Sequence, residues 1–161
     1  MKTRVVHFGV FTALALIFSY VETLIPIPIG IPGIKLGLAN LIIVIGLFKF
    51  TEKEISLLMV TRVMLAGFMF GNLSMIIYSL AGGICSLIIM LALKKMDKFS
   101  IFGISMAGGV CHNVGQLLVA VLTLESLSIM YYMPILLITG LVTGFVIGLL
   151  ANEIMKRMKT V

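Results

Sequence analysis

His112 and Gln116 stand four residues apart in the stretch SMAGGVCHNVGQ, residues 105–116, with Asn113 beside them. On a helix that spacing puts both on one face, and Ser105 and Gly109 continue the face over two more turns. Such a stripe supplies hydrogen-bond donors and acceptors but no strong acid, which suits holding a polar molecule better than breaking one. Its competitor is bonding between helices, which contributes about 0.6–2 kcal/mol per contact inside a bilayer. A metal site is the poorer match, because a lone histidine, two amides and the distant Cys85 and Cys111 make a weak ligand set.

Arg62 is the second residue type that asks for a reason, since it interrupts the apolar run around TRVMLAG, residues 61–67. A guanidinium at mid-bilayer costs about 2.5–3.5 kcal/mol on insertion scales, so it either faces a ligand path or ties helices through their carbonyls. A third polar group comprises Glu22, Lys35 and Asn40, which flank IPIPIGIPG at 25–33. That loop reads as a shaped lid over a pocket, or as a rigid connector with Lys35 snorkelling to the surface.

The elements that must carry these residues follow from composition. Hydrophobic residues make up 61% of the 161 positions and charged residues 11%, against about a quarter charged in soluble domains. Mean hydropathy is +1.24. A bilayer is the solvent this chain expects. Segments near 5–25, 34–50, 54–71, 73–94, 101–123 and 131–153 approach the roughly 20 residues a spanning helix needs. The reading is one all-α domain over residues 1–161, a polytopic membrane protein of six transmembrane helices. Its weakest break is FGNLS, where only Gly71 and Asn72 mark a turn, so a five-helix alternative stays open.

Charge sets the orientation. With a cytoplasmic amino terminus, Lys2, Arg4, Lys49, Lys53, Lys94, Lys95, Lys98, Lys156, Arg157 and Lys159 fall on the inner side and Lys35 alone falls outside. Both termini are then cytoplasmic. The net charge of +6 is accounted for by this asymmetry and needs no nucleic acid, though a basic inner face also suits anionic lipid. The first segment is long, ends in Glu22 and prolines and lacks a small-residue cleavage pattern, so it reads as a retained helix and not a secretory signal. The cysteines form no disulfide framework.

Small residues mark where helices touch. Gly140, Gly144 and Gly148 repeat every four positions, and Gly9 with Ala13 and Gly67 with Gly71 repeat the spacing once. The face on the first helix could dock a partner subunit instead. Enzymatic machinery is missing: there is no GxxxxGK[ST] phosphate loop, and the six acids form no paired cluster to hold Mg²⁺ on a diphosphate. The chain is expected to be no enzyme and to need no cofactor.

The strings PGIKLGLANLIIV (32–44), TRVMLAG (61–67), SLAGGICSL (79–87) and GISMAGGVCHNVGQLLVA (103–120) together resemble the bacterial Gx transporter family, also labelled heptaprenyl diphosphate synthase component I. The resemblance implies an architecture similar to the substrate-binding S components of energy-coupling factor (ECF) transporters. An S component captures a small molecule from outside and works with a transmembrane coupling subunit and two cytoplasmic ATPases in the inner membrane. By the same resemblance, residues 25–35 correspond to the substrate-covering loop, and Gly9, Ala13 and Ala15 to the contact with the coupling subunit. The other label implies a non-catalytic membrane component beside a prenyl diphosphate synthase. The site expected on either footing consists of Arg62, His112, Asn113 and Gln116, joined by Glu22, Lys35 and Asn40, for a small polar molecule that the positive bias of Arg62 and Lys35 would make anionic.

Overall fold

A computed structural model describes residues 2–24 and 37–158, the side chains from Arg4 onward. Six α-helices follow in order: α1 Lys2–Leu24, α2 Leu38–Lys49, α3 Glu52–Phe70, α4 Leu73–Lys95, α5 Ile101–Leu124 and α6 Met133–Met158, with a 3-10 segment Leu127–Tyr132 leading into α6. The Pro/Gly loop and Lys35 lie outside the described residues.

Local chemistry explains the boundaries. Thr51 opens α3 with a reciprocal capping box: its side chain accepts from the Glu54 amide, and the Glu54 carboxylate accepts from the Thr51 amide at 2.9 Å. The charged turn expected up to residue 53 therefore becomes the first turn of a helix, where acids also favour the positive end of its dipole. The break at FGNLS is real, which removes the five-helix alternative. There the Asn72 side chain accepts from the Met75 amide at 2.8 Å and starts α4. By contrast, α2 begins later than the expected residue 34, because Gly37 sits at φ +74°, a left-handed conformation that cannot join the helix.

Four stretches are long and apolar enough to cross a membrane, namely Arg4–Leu24, Leu73–Lys95, Ile101–Leu124 and Leu127–Met158. They mark a multi-pass membrane protein. The remaining two helices differ: α2 is apolar but has 12 residues, about 18 Å at the usual rise, and α3 carries a charged first turn and Arg62. Burial is reversed relative to a water-soluble domain. Leu122 and Phe68 are 75% and 72% exposed, whereas Arg62 and Gln116 are 8% and 9% exposed.

The helices close into a ring. Within one half, α1 packs on α2 and α3, within the other α5 packs on α4 and α6, and the halves join through α3 with α4 and α2 with α6. Helices consecutive in sequence run antiparallel, as paired ends show: Lys95 at the end of α4 meets Glu52 at the start of α3 at 2.9 Å, and Tyr78 early in α4 bonds Thr123 late in α5 at 2.7 Å. All described lysines, and the arginines other than Arg62, gather at one end of the bundle, with Glu22 and the turn around Glu125 at the other. The expected seam of α6 is also present. A Cβ on Gly144 would stand 2.7 Å from the Met106 Cα, and one on Gly140 would stand 3.0 Å from the Val110 Cα, so α5 and α6 touch backbone to backbone.

Candidate functional site

The ring encloses a polar cavity that every helix helps to line. From α1 come Ser19 and Glu22, from α2 Asn40, from α3 Arg62, and from α6 Thr143 and Gly144. The α5 stripe faces it as the spacing requires, with Ser105, Gly109, His112 and Gln116 all on its wall, joined by Asn113. Of the expected site residues, Arg62, His112, Asn113, Gln116, Glu22 and Asn40 are thus brought together. Lys35 cannot be placed, since it lies outside the described residues.

Arg62 dominates the electrostatics. Its Nη2 donates to Asn40 Oδ1 at 3.2 Å, its Nε is buried with no hydrogen-bond acceptor, and it forms no ion pair among the described residues. A buried cation without a direct ion pair is offset only in part, here by the charge of Glu22 in the same cavity. Ser105, 3% exposed, likewise has a buried Oγ without a hydrogen-bond partner and lines the same space. Both residues line a cavity of about 70 Å³, several times the roughly 10–15 Å³ a buried water needs.

Two of the expected residues carry structural duties as well. Glu22 Oε1 accepts from the Leu38 amide at 2.9 Å, so its carboxylate satisfies the exposed amide end of α2 across the gap from α1. Asn113 Nδ2 donates to the Leu136 carbonyl at 2.7 Å and lies 3.4 Å from Thr139 Oγ1, tying α5 to α6. Gln116 makes no hydrogen bond among the described residues, and its amide remains available to a guest.

Residues 11–154 match the sequence model of a known family, described as heptaprenyl diphosphate synthase component I. The chain belongs to that family. No curated protein and no solved structure matches it.

In this heptaprenyl diphosphate synthase component I protein, the α4 wall of the site is what sequence reasoning missed. Met75, Ser79, Ser86 and Met90 line the cavity at helical spacing, and Gly82 continues the same face. A Cβ on Gly82 would come within 2.9 Å of Gln116 Cγ and 3.0 Å of His112 Cε1, so the glycine makes the room in which both side chains sit. The signal lay in SLAGGICSL, whose serines recur at the period of the α5 stripe.

On the first helix the three expected contact residues part company. Gly9 and Ala13 are exposed, with open space around a Gly9 Cβ, whereas Ala15 is fully buried in the core. Two residues on from Ala13 the helix has turned by about 200°, so Ala15 cannot share their face. Ala15 therefore lies off the exposed face that carries Gly9 and Ala13. Among the described residues no group of histidine, cysteine and acidic side chains could hold a metal ion.

Proposed function

We propose that this protein is the substrate-binding membrane subunit, the S component, of an ECF-type ABC importer. It captures a small polar molecule bearing an anionic group from outside the cell. All six helices cross the inner membrane with both termini cytoplasmic, following the gathering of lysine and arginine at one end of the bundle. ATP hydrolysis falls to two cytoplasmic partner subunits, with a transmembrane coupling subunit docking on the α1 face around Gly9 and Ala13.

One observation carries the reading: a buried guanidinium with no direct ion pair among the described residues lines a polar space walled by all six helices. A purely structural tie would spend its donors on carbonyls or carboxylates of neighbouring helices. The Arg62→Leu variant tests it. Uptake, or retention of a co-purified small molecule detected by mass spectrometry, should fall to background while the protein stays folded in the membrane. Undiminished retention or uptake would overturn the proposal.

A second reading follows from the family's description: a non-catalytic membrane component beside a prenyl diphosphate synthase. Stable co-purification with such a synthase, and not with a coupling subunit, would favour it.

A further inference from the structure

The polar cavity is small for a whole substrate. At about 70 Å³ it holds a head group, whereas pockets for small ligands usually run to about 300–1,000 Å³. A larger space of about 450 Å³ adjoins it, between α4, α5, the 3-10 segment and the start of α6. Leu117, Ala120, Leu124, Ile129 and Leu136 give this second chamber an apolar lining. Met75, Ser79, Asn113 and Gln116 line both spaces and form the neck between them.

Each half of this arrangement lacks what the other supplies. Arg62 Nε and Ser105 Oγ are buried donors without acceptors, and the apolar chamber has room but few groups to orient a polar guest. We propose that the site takes a single-chain amphiphile, with a carboxylate or phosphate head on Arg62 and an apolar tail in the chamber beyond Gln116. The assignment rests on the Arg62 cavity being a binding site, as argued above. Glu22 also lines the polar space and its charge acts on Arg62, but its Oε1 is engaged by the Leu38 amide and it makes no direct ion pair with Arg62. Gln116 at the neck can reach the polar end of the tail through its free amide.

The test uses the full-length protein in nanodiscs. Binding of inorganic phosphate and of methyl, butyl and hexyl phosphate is measured, with the matching carboxylates alongside and empty nanodiscs subtracted. Burial of a methylene contributes about 0.8 kcal/mol, so affinity should rise about fourfold per added carbon. Ala120→Phe, which fills the chamber, should flatten that rise. Leu124→Trp fills it from the exposed rim and serves if the first variant unfolds. Arg62→Leu should abolish binding of the whole series.

Arg62-dependent affinity that does not change with chain length would overturn the tail assignment while leaving the head site intact. A rise that is the same in the wild type and in both filled variants would overturn it too. Binding indifferent to Arg62→Leu would instead sink the underlying site. Displacement by lysophosphatidic acid placed in the bilayer would assign the amphiphile to the membrane and absence of displacement would assign it to solution; either result upholds the head-and-tail arrangement.

Discussion

Arg62 and Asn40 meet across the interior of the ring, the guanidinium Nη2 donating to the amide Oδ1 at 3.2 Å while the Nε beside it has no acceptor. The bond joins α3 to α2 and fixes the direction in which the remaining donors point. Asn40 thereby acts as a positioning residue for Arg62.

Arg62→Leu should separate function from folding. Removing a buried cation without an ion partner relieves its desolvation, so thermal unfolding in mild detergent should be unchanged or shifted upward. Ligand retention should be lost in the same preparation. A collapse of stability would show that the arginine holds the helices together.

Asn40→Ala should weaken ligand binding without abolishing it, because Arg62 keeps its charge but loses its aim. Asn40→Asp would place a carboxylate against the guanidinium and compete with an anionic guest, so it should lower affinity more than Asn40→Ala. Binding isotherms of the two variants check the order.

Asn113→Ala should cost about 0.6 kcal/mol and no more than about 2 kcal/mol of stability, the range for a hydrogen bond between membrane helices. Its readout is the unfolding midpoint without ligand, where Arg62→Leu predicts no loss.

Gly144→Ala should lower the unfolding midpoint, since its Cβ would press on the Met106 Cα and the Ser105 carbonyl, each 2.7 Å away. Overpacking against backbone typically costs about 1–3 kcal/mol. Gly9→Ala, with nothing within 4 Å, should leave stability unchanged. A bulky Gly9→Trp should impair assembly with a coupling subunit, which pull-down from membranes would measure.

Orientation is open to chemical labelling. In a variant with Cys85 and Cys111 replaced by alanine, a cysteine at Lys156 should react with a membrane-impermeant maleimide only in inside-out vesicles. One at Leu127 should react only in right-side-out cells. Labelling of both from one side would refute the crossing by α6.

The α5 stripe was legible because His112, Asn113 and Gln116 are costly in a bilayer and stand out against their neighbours. Arg62 was legible for the same reason. The α4 wall was not, since serine and glycine are ordinary in membrane helices and signal only through their spacing. The tie from Asn113 to the Leu136 carbonyl depends on which helix lies opposite, which no local pattern of residues encodes. The apolar chamber was equally hidden. Its walls are leucine, alanine and isoleucine from separate segments, and part of it is the 3-10 segment Leu127–Tyr132, where a plain connector was expected before residue 131.

The glycine seam between α5 and α6 limits how a guest can enter. Two helices in direct main-chain contact along Gly140, Gly144 and Gly148 have no slack to slide apart, because interiors packed this closely shift between discrete arrangements and do not stretch. Any rearrangement that opened the polar space would therefore fall at another junction of the ring, such as α3–α4 or α2–α6, where its two halves meet.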